Sequence, residues 1–183
     1  MRIRAAVVDD APAMGRVMVD SWLSAHRGQM PDAAWQKRVD EWTPEVSAQG
    51  WLRVLTEHAE SEGSREVLLV AEDDSGALTA VVYAIADGDD PSGPTAEISA
   101  LYVEPGLRRR GTGAALLKAA AAELARRGFS SARLDVLTAN DPARRFYEAM
   151  GGQEVGRGTF DEEGFPLPVT VYAWSDLAAL RRL

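Results

Sequence analysis

The sequence predicts a mixed α/β fold in which a central sheet of about seven strands is flanked by helices. Three observations carry that prediction. Short β-rich runs alternate with stretches of helical apolar spacing, in the order strand, two or three helices, three strands, helix, strand, helix, two strands. The chain has 183 residues, 46% of them apolar, which is enough to bury a core of its own and too little for much beyond one domain. Proline and glycine are scattered as turn punctuation, with no repeat or low-complexity tract, so residues 1–183 are expected to form a single domain.

Each element has a local reason. Ile3 to Val8 is a short β-rich run, and Asp9, Asp10 and Pro12 then offer capping chemistry for a helix through about Ala25, with Met14, Val17, Met18 and Trp22 at helical spacing. Asp32 to Glu60 carries Trp35, Val39, Trp42, Trp51, Val54 and Leu55 between charges and is broken at Pro44, which predicts two helical pieces. Val67 to Ala71 and Leu78 to Ala86 form a hairpin through the turn Asp73-Asp-Ser-Gly76. A polar loop, Asp87 to Pro94, precedes a strand from Ala96 to Val103 that stops before Pro105. Gly113 to Arg127 places Leu116, Leu117, Ala120, Ala121 and Leu124 on one helical face, with Gly128 as the stop. Ala132 to Leu137 is the next strand, Asn140 or Asp141 with Pro142 opens a short helix that ends at Gly151-Gly152, and Glu154 to Trp174 reads as two strands joined through Glu162-Glu-Gly164.

Composition removes several function classes. Twenty Lys and Arg against 28 Asp and Glu leave a formal charge of -8, which argues against nucleic acid as a partner. The chain has no cysteine and two histidines, His26 and His58, so thiol nucleophiles, disulfides, Cys-based zinc sites and three-His metal sites are excluded and no metal is expected. The N-terminal residues lack the apolar core of a signal peptide and no apolar run has membrane-spanning length, so a cytoplasmic protein without membrane association is expected.

The most informative segment is the strand ending at Val103, followed by the basic, glycine-containing loop Arg108-Arg-Arg-Gly-Thr-Gly113 that opens directly into a helix. Unpaired N–H groups of the first helical turn, the helix dipole, and two glycines that let the backbone approach a ligand make an anion cradle. A P-loop is excluded because Thr112 stands where the phosphate-binding lysine is needed. A dinucleotide fingerprint is excluded because Leu116 replaces the third small residue and seven residues separate Val103 from Gly111.

The pattern Arg-x-x-Gly-x-Gly at Arg108 to Gly113 resembles the pyrophosphate loop of the GCN5-related N-acetyltransferase (GNAT) family. The resemblance continues in order through Leu101-Tyr-Val103 and Pro105, Leu134-Asp-Val136, Asn140 and Phe146-Tyr147-Glu-Ala-Met-Gly151. It implies a mixed, mostly antiparallel sheet with one splayed strand pair that admits the coenzyme. It also implies acetyl-coenzyme A as co-substrate, with Arg108, Arg109, Arg110, Gly111, Thr112, Gly113 and Ala114 around the pyrophosphate. Leu101, Tyr102 and Val103 would pair with pantetheine through their backbone, as an added strand does. Asn140 matches a pantetheine-contacting position and is equally suited to cap the following helix. Tyr147 matches the family's tyrosine near the coenzyme sulfur, where a phenol of ordinary pKa near ~10 can give a proton to the departing thiolate; its alternative is a core aromatic.

An acceptor amine must lose a proton before it attacks, and Glu97 and Asp135 are the two carboxylates placed to take it. Asp135 matches a glutamate used as base in the ribosomal-protein branch of the family and is one methylene shorter. Glu97 alternates with Ser99, Leu101 and Val103 and shares their face unless a bulge changes the phase. Each acid is equally readable as a solvated residue or half of an ion pair, and water is a third carrier of the proton. Without cysteine, direct transfer in a ternary complex is the expected route. Trp22, Trp35, Trp42 and Trp51 fall in the region that lines the acceptor side in that family, as an aromatic pocket or as core. The acids Asp87, Asp89 and Asp90, with Asp161, Glu162 and Glu163, favour a small cationic acceptor. The leading expectation is acetylation of a small primary amine. A protein N-terminus or lysine, and a catalytically silent coenzyme sensor, are the alternatives, and the resemblance allows a homodimer through Val155 to Phe160 and Val169 to Trp174.

Overall fold

Seven strands pair into one sheet in the computed structural model, which describes residues 1–61, 63–88, 93–162 and 164–182. The strands are β1 (Arg2–Ala5), β2 (Val67–Glu72), β3 (Leu78–Ala86), β4 (Thr95–Val103), β5 (Ser131–Leu137), β6 (Gln153–Glu162) and β7 (Phe165–Trp174). The helices are α1 (Ala11–His26), α2 (Asp32–Glu41), α3 (Pro44–Glu60), α4 (Thr112–Arg126), α5 (Asp141–Ala149) and α6 (Leu177–Arg182). Strand order is β1-β2-β3-β4-β5-β7-β6, and every neighbouring pair is antiparallel except β4 with β5. The expected mixed, mostly antiparallel sheet of seven strands is therefore present.

The sheet has a core on each face. On one face Leu116, Leu117, Ala120, Ala121 and Leu124 of α4 are all within 1% of full burial and pack with Ile98, Leu134, Val136, Tyr172 and Trp174. These are the α4 positions picked out by helical spacing, and each leucine contributes on the order of 1.5–3 kcal/mol by leaving water. On the other face Met14 and Val17 of α1 and Trp51 and Leu55 of α3 cover Leu68, Val70, Val81 and Ala100. Helices α1 and α3 approach so closely that a Cβ at Gly15 would lie 2.4 Å from the Pro44 carbonyl oxygen, so only glycine fits that crossing.

Strands β4 and β5 pair only at Thr95–Ser131, Ala96–Ala132 and Glu97–Arg133, although β4 continues to Val103 and β5 to Leu137. Beyond Glu97 they splay, which leaves backbone groups of both strands facing a gap. The register of β3 against β4 slips at the same place: Tyr83 opposes Ala100 and Ala84 opposes Ile98, so Ser99 is an extra, bulged residue. The bulge inverts the facing of β4. Ala96 and Ile98 before it and Leu101 and Val103 after it all pack toward α4, whereas Ala100 and Tyr102 pack toward α1. Glu97 consequently faces the α1 side and does not share a face with Leu101 and Val103, so the phase change that the sequence left open is realised.

Two elements differ from the sequence reading. The first strand ends at Ala5 instead of Val8, because the Asp10 carboxylate accepts from the Val7 N–H (2.8 Å) and is gripped by Arg4, which curls Val8–Asp10 into a 3-10 turn. Helix α6 was not anticipated. Its signal is short but present, since the Asp176 side chain accepts from the Ala178 N–H (2.7 Å) and Leu177 and Leu180 are each 1% exposed against α4.

Candidate active site

The loop between β4 and α4 is shaped by two left-handed residues, Arg109 (φ 64°) and Gly111 (φ 87°). That conformation costs a non-glycine residue about 1 kcal/mol, and alternation of this kind gathers successive N–H groups into an anion-binding concavity. Gly111 is the N-cap of α4 and supplies no capping side chain. The first helical bond runs from the Ala115 N–H to the Gly111 carbonyl (2.9 Å), so the N–H groups of Thr112, Gly113 and Ala114 precede the intrahelical ladder and are open to an anion.

The three arginines of the loop separate in space. Arg109 and Arg108 border a cavity of about 920 Å3, whereas Arg110 is exposed outside its wall. Arg108 is turned inward: it donates to the carbonyls of Val103 (3.2 Å) and Ser21 (2.9 Å), and to Ser24 Oγ (3.4 Å). It thereby ties the loop and the end of β4 to α1, and burial lowers its pKa from the ordinary arginine value. Gly111, Gly113 and Ala114 also line the cavity, while the Thr112 side chain is buried beneath them.

From this cradle the cavity follows the gap between β4 and β5, lined by Leu101, Tyr102, Val103, Asn140 and Tyr147. Asn140 does cap α5, its side-chain oxygen accepting from the Ala143 N–H (3.3 Å), and it remains part of the cavity wall. Tyr147 is 9% exposed and packs edge-on against Phe146 and Trp174. Its hydroxyl has no hydrogen-bond partner among the described residues. Burial, with the Tyr102 phenol adding to it, pushes the Tyr147 phenol above its ordinary value. Burial also pushes Tyr102 up, to about 12, with the Glu162 carboxylate contributing.

Both anticipated carboxylates line the cavity on the α1 side of the sheet. Glu97 has Arg133 at 3.8 Å, and the same guanidinium holds Asp87 at 2.8 Å. Asp135 is exposed to the cavity and has no hydrogen bond or ion pair among the described residues. Asp87 is thus buried and engaged instead of free in an acidic loop; Asp89, Asp90 and Glu163 lie outside the described residues. Asp161 closes the β6–β7 turn by accepting from the Gly164 N–H (2.9 Å).

The tryptophans divide. Trp51 joins the core below Tyr83. Trp22, Trp35 and Trp42 cluster, and Arg38 packs on two of them, its guanidinium 5.1 Å from the Trp22 ring and 5.0 Å from the Trp42 ring. Arg38 is in turn ion-paired with the buried Glu162. The aromatic cage is therefore occupied by the chain's own cation, and Trp22 is its contribution to the cavity wall. His26, Ser99 and Arg145 also line the cavity and were given no role there by the sequence; Glu162, expected as an acid of the β6–β7 turn, is part of the same wall. The i, i+4 spacing of Trp22 and His26 and the alternation of Phe160 with Glu162 were the available signals; the turn-like composition around Glu162 hid the second.

Comparison with known proteins agrees with this fold. The chain is 26% identical over 186 residues to YuaI, an uncharacterized N-acetyltransferase of Bacillus subtilis (strain 168), across 99% of this chain and 96% of that protein. Among solved structures it superposes on yncA of Salmonella typhimurium, determined with its cofactor acetyl-CoA (TM-score 0.72, 19% identity, 97% of this chain and 94% of that one). It also superposes on the paia N-acetyltransferase of Thermoplasma acidophilum in complex with coenzyme A (TM-score 0.67, 20% identity, 92% and 96%). The model of the acetyltransferase (GNAT) family matches residues 30–152. The chain belongs to the acetyltransferase (GNAT) family and is an acyl-coenzyme A-dependent acetyltransferase.

Proposed function

We propose that residues 1–183 act as one catalytic domain that moves the acetyl group of acetyl-CoA to the primary amine of a small molecule by direct attack in a ternary complex. The observation that carries this reading is the single cavity wall running from the open α4 N-terminus, through the β4–β5 gap, to a carboxylate-lined end under α1. The N–H groups of residues 112–114, with Arg109, receive the pyrophosphate, and pantetheine lies along the splayed edge of β4.

The amine nitrogen attacks the thioester carbonyl, the proton it sheds passes to a carboxylate directly or through water, and the C–S bond breaks. Asp135 is the better base because its carboxylate faces the cavity without a partner among the described residues, whereas Glu97 shares Arg133. Tyr147, kept protonated by burial, donates to the departing thiolate. A backbone N–H of the splayed edge of β4 stabilises the oxyanion, a reading supported by the end of β4–β5 pairing at Glu97.

The cytoplasm is the proposed location; among the described residues no helix is long and apolar enough to cross a membrane. A homodimer through β6 is proposed from its position at the sheet edge with Val155 60% and Phe160 50% exposed. Thiol release from acetyl-CoA across a panel of small amines and lysine peptides tests the function. Turnover with small amines is expected; turnover restricted to peptides, or coenzyme binding without transfer to any amine, overturns it.

A further inference from the structure

The acceptor end of the cavity holds two polar side chains that the transfer step does not use. Glu162 is 2% exposed yet forms part of the cavity wall. Its Oε1 accepts from Nε of Arg38 (2.6 Å) and also faces Nη2 of the same residue, and its Oε2 has no partner among the described residues. His26 is 7% exposed and lines the same wall. Its Nδ1 lies 2.9 Å from the Trp22 carbonyl, which can only accept, so Nδ1 carries the proton and Nε2 is left as an acceptor without a partner. The two groups flank one indole: the Trp22 ring is 4.6 Å from the His26 ring and 5.1 Å from the Arg38 guanidinium that grips Glu162.

Charge and position agree on what such acceptors receive. Burial, with Arg108 adding to it, holds the His26 pKa down to about 4, so a neutral imidazole meets the ligand and does not repel a cation. Glu162, Glu97 and Asp135 face the α1 side of the sheet, where Arg108, bonded to Ser21 and Ser24, is the cation of the wall; Arg109 in the cradle loop and Arg145 on α5 are its other cations. Tyr147 packs with the core on the α4 side of the sheet, whereas Tyr102, Glu162 and His26 line the same cavity on the α1 side. An amine that attacks beside Tyr147 therefore carries the rest of its body past Tyr102 toward Glu162 and His26. Neither acceptor is sealed from the cavity, so a ligand N–H group can reach both, and a charged donor makes the stronger bond.

Resting on the reading of this cavity as an acetyl-CoA and small-amine site, we infer that Glu162 and His26 form a second recognition point selecting acceptors with a protonated N–H group, ammonium or guanidinium, remote from the reacting amine. The probes are 1,4-diaminobutane and n-butylamine, matched in chain length and differing in the second ammonium. Each is titrated by calorimetry into the CoA-saturated protein and assayed for thiol release with acetyl-CoA. The diamine is expected to bind roughly 10- to 100-fold more tightly, the worth of one or two charged hydrogen bonds. In Glu162→Gln, which retains an oxygen for Arg38, and in His26→Phe, the ratio is expected to fall to within about threefold. A coenzyme titration verifies that each variant is folded, and the comparison on the parent protein requires no variant. Equal affinities for the two amines in the parent, or a ratio unchanged in both variants, overturns the inference. Equal acetylation of both amines leaves the transfer reading standing while this one falls; Glu162-dependent diamine binding without acetylation does the reverse.

Discussion

Replacing Tyr147 with phenylalanine separates packing from proton transfer at the centre of the cavity. The ring centroid lies 5.3 Å from Phe146, 6.1 Å from Tyr172 and 6.1 Å from Trp174, contacts that phenylalanine keeps. The hydroxyl has no hydrogen-bond partner among the described residues, so its removal strands no donor or acceptor. Stability should change by less than about 0.5 kcal/mol, about 1–2 °C in Tm for a chain of this length. Turnover should respond quite differently. The buried phenol stays protonated across the neutral range and is lost as the proton source for the thiolate. General acid catalysis of this kind contributes about 10²- to 10⁴-fold, or roughly 3–5 kcal/mol of barrier. Thiol release at saturating amine reads kcat, and calorimetry reads coenzyme affinity. We expect kcat to fall at least ~100-fold while the Kd for CoA moves by less than about twofold. A kcat within about threefold of the parent between about pH 6 and about pH 9, with Tm unchanged, refutes proton donation by Tyr147 and leaves the ring a packing role.

Gly111→Val forces a β-branched residue into φ 87° at the cradle and should weaken CoA binding at least ~10-fold by calorimetry; undiminished binding means the pyrophosphate sits elsewhere. Asp135→Asn should remove the acidic limb of the pH-rate profile while Glu97→Gln retains it, and an acidic limb that survives both substitutions excludes both carboxylates as the titrating base. His26 has a folded pKa of about 4 against an ordinary 6.5, so protonation favours the unfolded chain and stability is lost as pH falls from about 6.5 through about 4. The loss is on the order of 3 kcal/mol; His26→Phe should flatten that part of the denaturant-midpoint profile, and a parent profile flat over that window contradicts the burial of a neutral imidazole.

Most of the fold was legible because its elements carry period and punctuation. The apolar positions of α4 repeat at helical spacing and are the ones the structure buries; Pro44 is the first residue of α3 and Pro142 the second of α5, and Asp73 to Gly76 form the hairpin turn. The failures were local competitions. Val7 and Val8 have strand propensity, yet the Asp10 carboxylate gripped by Arg4 holds the chain in a turn. Leu177 to Arg182 is too short to show helical period, and its stability comes from burying Leu177 and Leu180 against α4.

The candidate site divides along the same line. The proposed pyrophosphate cradle could be read directly because it is built from one continuous segment, β4, loop and α4, whose glycines and missing cap side chain are written in order. Side-chain direction was not written there. Three consecutive arginines look alike in sequence, but Arg108 and Arg109 border the cavity, Arg108 being claimed by Ser21, Ser24 and Val103, while Arg110 lies exposed outside it. Glu97 turned on the single extra residue Ser99, since strand facing alternates and one bulge inverts it.

The acidic turn at residues 161–163 looked like a solvated lure for cations, yet Glu162 is buried against Arg38, a residue 124 positions away. The amino-acid sequence by itself determined most of the elements, the candidate cradle loop and the absence of a thiol route, because those depend on neighbours in the chain or on composition. Only the tertiary structure decided which charges line the cavity, because burial and pairing are set by residues that the chain brings together from α1, α2, β4, β5 and β6.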